Sequence, residues 1–523
     1  MWDEFSSRMR ELRHLASIGG LLGWDQNTMM PPRGASARGA VLATLAGIVH
    51  ERVIDPQYGG LIEALLSEDL DDSKRAMLDL AKLNRDRAVK VPARLVKELA
   101  ETGSQGQATW QEARAKDDFK IFEPILDRMF KLKAEQAECL GYQDEPYDAH
   151  LDLFERGATV KGLKPMFEAV SIGLKPTLDK ILGADNSDRC FPEGSYDPDS
   201  LFDYCRDLLP RLGYDMQAGR LDLSAHPFTS GIAPNDARLT TRLDPGDPKE
   251  AILATLHEMG HGLYYLGLRK EWMETTIGAP VSFGVNESQS RLWENHVGRS
   301  LSFWEGELPL ARKFLKPLDA ATPDSIYRAV NRAEPSLIRV QADEVTYPLH
   351  IAVRFDLELA ITRGEVTTRD LPAAWNEAMR RHLSIEPESD ADGVLQDVHW
   401  SQGYVGYFPT YLIGSVYSAA LFEAAAASIG GLGGVAAPIG TDPRAPEAAN
   451  PPKSTGGTDA LSDQLRNRDF APLLGWLIEN IHSQGSVKRP AEIIADATGS
   501  AADEGIDTEP FVRYINTKFA ELY

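Results

Sequence analysis

Apolar positions recur three and four residues apart through "SSRMRELRHLASIGGLLGWDQ", "SKRAMLDLAKLNRDRAVKVPARLVKELAETG" and "IFEPILDRMFKLKAEQAECLGY", with charged residues on the opposite side of each stretch. That period belongs to amphipathic helices burying one face, so the first 200 or so residues read as packed helices. Alternation with a period of two is sparse, confined to "LDLSAHPFTSG" and "DARLTTRLD", where short strands are expected. A helix follows at once. In "DPGDPKEAILATLHEMGHGLYYLGL", Asp247 can cap, Pro248 suits the first helical position, Glu250 completes a capping box and Gly267 offers a stop. From residue 427 to 462 the chain is rich in Gly, Pro, Ala and Ser and loses its apolar period, which predicts a flexible loop or insertion. Helical periodicity resumes at "FAPLLGWLIENIHSQ".

Composition narrows the class. With 523 residues, 43% apolar and 25% charged, the chain is long enough to bury a large core. A formal charge of −23 would repel a phosphate backbone, and no stretch combines clustered Lys and Arg with aromatics, so nucleic acid is excluded as a partner. The opening "MWDEFSSRMRELRHL" lacks a basic start followed by an apolar stretch, and no apolar run of about 18 residues stands out, which argues for a cytoplasmic protein with no membrane partner. Three cysteines at unpatterned spacings, Cys139, Cys190 and Cys205, read as reduced core thiols.

The helix at 248–267 carries candidate chemistry. His257 and His261 are four apart and share a face, where two imidazoles can reach one ion, and Glu258 stands one position round, placed to act as base toward a water. Catalytic zinc usually takes three protein ligands and keeps one position open. "GVNESQSRLWENH", about 25 residues on, offers Glu287 as the third, with Glu294 and His296 as alternatives.

The sequence resembles the Taq-type, or thermostable, metallocarboxypeptidase family. Five segments carry the resemblance in order: "DARLT" (236–240), "HEMGH" (257–261), "NESQS" (286–290), "IRVQAD" (338–343) and "GVLQDVHW" (393–400). It runs from "LGWDQNTMMPPRGASARG" to "FVRYINTKFAELY". The resemblance implies a mainly α fold, an elongated helical shell around a deep groove with a small β-sheet beside the HExxH helix, commonly a homodimer. It further implies one zinc ion per chain, with cobalt or manganese as substitutes, held by His257, His261 and Glu287, with Glu258 as the catalytic base. The implied activity is release of single amino acids from peptides with a free C-terminus. One departure is Asn286, where the family carries histidine.

The whole chain then reads as one catalytic domain: a helical lobe at 1–200, a zinc and substrate core at 201–427, the insertion at 428–462 and C-terminal helices at 463–523. A carboxypeptidase must bind a terminal carboxylate, for which Arg238 and Arg339 are the candidates. Arg238 with His399 at the blind end of the groove is preferred, and internal salt bridges to Asp236 or Asp343 are the competing role. "HWSQGYVGYFPTY" supplies hydroxyl donors for an oxyanion, in the order Tyr411, Tyr407, Tyr404. Trp24 reads as a packing residue. An oligopeptidase or dipeptidyl carboxypeptidase of the same zinc class, and a non-catalytic peptide-binding protein on this fold, are the rival readings.

Overall fold

A computed structural model describes residues 1–244, 246–431, 456–502 and 505–523. The architecture is mainly α-helical with one small three-stranded sheet. Within residues 1–200 the burial falls in three places, the smallest being Val91, Leu95 and Leu132. Phe5, Met9, Tyr58, Ile62, Leu65 and Leu78, from the first, third and fourth helices, form a small core with Ile277. Helices from Phe119 onward instead contribute to the main core, which continues to the C-terminal helix at Glu509–Leu522.

The strands form where the alternation predicts them: β1 (Gly219–Leu223), β2 (Thr229–Ala233) and β3 (Asp236–Thr241). β3 lies in the middle, parallel to β1 and antiparallel to β2. The β2–β3 turn places Asn235 at φ 59°, a left-handed conformation that asparagine tolerates. The sheet is tied to the next helix, Pro248–Gly267 (the histidine helix), by Thr241 Oγ1 donating to the Ala251 carbonyl at 3.2 Å.

Close approach of three helices positions the site. The short helix Phe283–Arg291 (the glutamate helix) lies between the histidine helix and the helix Pro409–Gly431 (the tyrosine helix). Glycines make both contacts possible. A Cβ on Gly260 would stand 2.5 Å from the Gln289 carbonyl, and one on Gly414 would stand 2.5 Å from Glu287 Cβ.

Several expectations need correction. The histidine helix begins at Pro248 with Asp247 at its N-cap, but no capping box forms: the Asp247 carboxylate turns to Lys249 and Glu250 pairs with Arg242. Charge pairing satisfies those carboxylates in place of the backbone N–H groups. Only Cys205 is a fully buried thiol; Cys139 is half-buried and Cys190 is exposed, on the irregular connection between Ile181 and Pro198. One helix, Pro409–Gly430, does meet the length and hydropathy of a membrane span, and 67% of it is buried inside the protein, as befits a core helix. The ends of the expected insertion at 428–462 are helical, since the tyrosine helix runs to Gly431 and the next helix starts at Gly456; positions 432–455 lie outside the described residues.

Candidate active site

The two histidines and the glutamate of the sequence reading meet. Their ligand atoms all lie within 4.8 Å of one another, with Glu287 Oε2 3.6 Å from His257 Nε2 and 3.5 Å from His261 Nε2. Ligands held at about 2.0–2.1 Å around one tetrahedral ion are separated by about this much. Glu294 and His296, the alternative third ligands, take other roles. Glu294 Oε2 lies 2.8 Å from His257 Nδ1. Burial disfavours the Glu294 carboxylate, but Arg291, His257 and Arg299 outweigh it and keep it ionised. The Nδ1–H therefore donates, and the lone pair of Nε2 is left facing Glu287 and His261. His296 stacks between Phe422 and Tyr514, its Nε2 3.3 Å from Ser418 Oγ, and burial brings it down to about 3, so it is neutral.

Charge holds Glu287 in place. Arg291 Nε donates to Glu287 Oε1 at 2.7 Å, leaving Oε2 toward the histidines. Burial opposes the Glu287 charge, yet Arg291 and the two imidazoles together bring its carboxyl down to about 2. His257 likewise loses by burial and gains more from Glu287, Glu294 and Glu258, so it lies above its ordinary value. Glu258 is buried beside the sheet, where Thr229 Oγ1 on β2 lies 2.7 Å from its Oε2 and 2.9 Å from its backbone carbonyl. Asn286, in the position where the family has histidine, has a buried Oδ1 with no partner among the described residues, and so does Nδ1 of His261.

An aromatic cluster lies within reach of the Glu287 charge. His399, Tyr404, Tyr407 and Tyr411 form one cluster, with Tyr407 and Tyr411 rings crossing at 89° and 5.4 Å. Burial first, and the Glu287 charge among the further causes, raises both Tyr407 and Tyr411, so each remains a hydroxyl donor at neutral pH. Tyr404 is exposed. His399 Nε2 lies 3.3 Å from the Tyr411 hydroxyl; burial brings the imidazole down to about 4, opposed by Asp397 and reinforced by Arg339 and Arg354, so it is neutral.

The arginines separate. Arg238 is paired with Asp236 at 2.8 and 2.9 Å and stacks over Trp24, which also carries Arg220 on its ring, so the Asp236 pairing and the packing role of Trp24 are both present. Arg339, not Arg238, is the arginine beside His399 and Tyr411. Its Nε and Nη2 meet Asp397 Oδ1 at 3.0 and 2.7 Å, and its Nη1 donates to the Tyr347 hydroxyl at 3.2 Å. The partner is Asp397, not the anticipated Asp343, whose oxygens accept from the backbone and side chain of its own turn, including Val345 N and Thr346 N. Tyr347 also stacks under Arg291 at 4.2 Å, which links Arg339 to Glu287 through one ring.

Comparison with known proteins agrees with this geometry. The family described as Carboxypeptidase Taq (M32) metallopeptidase matches residues 4–519. The chain belongs to this family. The Thermostable carboxypeptidase 1 of Thermus thermophilus is 41% identical over 98% of the chain and 97% of that protein, and Carboxypeptidase 1 of Bacillus subtilis is 33% identical over 99% and 98%. Among solved structures, the M32 carboxypeptidase of Deinococcus radiodurans aligns with a TM-score of 0.90 at 35% identity, covering 100% of this chain and 99% of that one. The Pyrococcus furiosus carboxypeptidase structure described as Apo-Mg aligns with a TM-score of 0.90 at 35% identity, covering 99% of this chain and 98% of that one. The chain is thus a metallocarboxypeptidase of the M32 family.

Sequence reasoning missed Thr229, Arg291, Tyr347, Asp397 and Glu358. A signal for the last was present: His350, Arg354 and Glu358 recur every four residues inside the mostly apolar "YPLHIAVRFDLELAIT". All three are buried in the helix Tyr347–Thr362. A polar stripe on one helix face, within a core, has to find partners.

Proposed function

We propose that this M32 metallocarboxypeptidase is zinc-dependent and releases single amino acids from free peptide C-termini, with Glu258 as general base. The convergence of His257 Nε2, His261 Nε2 and Glu287 Oε2 supports this reading most directly. A two-imidazole, one-carboxylate set suits zinc, with cobalt or manganese as substitutes, and such an ion supplies Lewis acidity to the scissile carbonyl and to water. Glu258, held by Thr229, takes the proton of the attacking water and passes it to the leaving amine. Tyr411 and Tyr407 donate to the developing oxyanion. The terminal carboxylate is anchored at the Arg339 and His399 end, with the neutral imidazole serving as a hydrogen-bond donor. Copies of the chain pair as a homodimer: the helix Ala35–Ile54 buries none of its residues, and Ile18, Leu21, Val41 and Ile48 are exposed on it and its neighbour Trp2–Thr28. A chain that sediments as a monomer at micromolar concentration would remove that part of the reading.

The test of the activity is product analysis on one peptide with free and amidated C-termini. Single residues should be released from the free acid, chelation should stop the release, and Glu258→Gln should keep one metal ion per chain while losing at least about a hundredfold in kcat. Dipeptide products would favour the dipeptidyl reading, internal cuts in the amidated peptide the oligopeptidase, and tight binding without products a peptide-binding protein.

A further inference from the structure

We propose that Glu358 is a positioning residue for the proposed carboxypeptidase reaction: its buried carboxylate pins the turn from His399 to Tyr411, so that His399, Tyr407 and Tyr411 keep their cluster, whose two tyrosines lie within reach of the Glu287 charge. This inference rests on the function proposed above and adds a residue outside the five motifs.

Glu358 lies on the helix Tyr347–Thr362 and is fully buried. Both of its oxygens are used. Oε1 accepts from Trp400 Nε1 at 2.6 Å; Oε2 accepts from the Gly406 amide at 2.8 Å and from the Tyr147 hydroxyl. Trp400 follows His399 directly, and Gly406 directly precedes Tyr407. The two bonds to the turn therefore grip it next to residues of the aromatic cluster, while Tyr147 connects the carboxylate to the helix Pro146–Phe154.

The turn cannot settle elsewhere without cost. Gly406 adopts φ +85°, and a Cβ there would stand 2.8 Å from the His150 carbonyl carbon, so the backbone is pressed against the helix carrying Tyr147. Four residues earlier on the same helix, Arg354 donates to Asp397 Oδ2 and Gln396 Oε1 at 2.7 Å each, holding the start of the segment as Glu358 holds its middle. No cation bonds to Glu358 among the described residues; Lys133, the nearby cation that favours its charge, donates to Gln136. Three neutral donors hold the carboxylate, and burial raises it to about 7 against their pull.

An amide cannot replace it. In either orientation, the amino group of Glu358→Gln would face the Trp400 N–H or the Gly406 N–H, a donor against a donor, and neither can reverse. Tyr147→Phe is the milder variant, removing one donor while keeping the ring.

The experiment combines steady-state kinetics on a free-acid peptide, metal content, and hydrogen–deuterium exchange over residues 399–408. For E358Q we expect wild-type metal content, kcat lower by at least tenfold, KM within threefold, and exchange in the turn faster by at least tenfold. Y147F should move the same way, by about threefold. A folded E358Q with unchanged exchange in the turn overturns the anchoring, and faster exchange with unchanged kcat overturns the positioning role. If E358Q fails to fold, Y147F with wild-type exchange and kcat overturns the proposal equally. A wild-type chain that released no C-terminal residue would instead refute the proposed activity, and the exchange measurement would still decide whether Glu358 holds the turn.

Discussion

His257 shows how little a single residue decides alone. Its place on the face shared with His261 follows from spacing, but its tautomer is set by Glu294, 37 positions on, whose carboxylate accepts a hydrogen bond from Nδ1–H. The same holds for the arginines. Arg238 is the preferred carboxylate fork in the sequence, with Arg339 the other candidate; the fold gives Arg238 to Asp236 and Trp24, and sets Arg339 beside Tyr347, Tyr411 and His399. Arg339→Ala should therefore lower kcat/KM on free-acid peptides by one to two decades, the equivalent of about 1.5–3 kcal/mol for a charge-assisted contact, and should shrink the discrimination between free and amidated substrates. Arg238→Ala should leave that discrimination intact. The paired assay on both variants checks the assignment, and discrimination lost in Arg238→Ala alone would return the anchor to Arg238.

Helices here meet at glycines. Gly260 admits the Gln289 carbonyl and Gly414 admits the Glu287 side chain, so the glutamate helix is clasped closely enough for Glu287 to reach both imidazoles. Gly414→Ala would place a methyl where Glu287 Cβ and Cγ already stand 2.5 Å away, forcing the tyrosine helix outward. Overpacking of this kind costs about 1–3 kcal/mol. The expected outcome is a lower unfolding midpoint together with weaker metal binding, read by competition with a chelator. Gly475→Ala is the control, because its Cβ would meet nothing within 4 Å on the helix Ala471–Asn480, and alanine there should be neutral or stabilising by up to about 1 kcal/mol. Equal metal affinity in both variants would show that the clasp does not set the ligand geometry.

Over the whole molecule, burial of imidazoles gives a pH dependence with a definite sign. His296 and His482 are brought down to about 3 and His399 to about 4, chiefly by burial, and His150 and His350 lie well below their ordinary value for the same reason. Below about pH 6.5 the unfolded chain takes up these five protons and the folded chain does not, so stability falls as pH falls. Glu155 and Glu358, raised by burial to about 7, act oppositely between about pH 4.5 and 7, because there the folded chain holds their protons. Five outweigh two, each worth at most about 1.4 kcal/mol per pH unit. The unfolding midpoint should drop between pH 6.5 and 5, and His482→Gln should drop less steeply; a midpoint constant over that range would contradict the balance. The amino-acid sequence determined the helical class, the place of the strands and the meeting of His257, His261 and Glu287, because periodicity and short motifs are local and each constrains one element at a time. The capping box failed because Arg242 and Lys249 competed for the two carboxylates, which no local pattern reveals. Thr229, Glu294, Asp397 and Glu358 acquired their roles only in the tertiary structure. Each acts through a partner between 3 and 211 positions away, and a buried carboxylate or arginine takes whichever donor or acceptor the packing of distant helices leaves beside it.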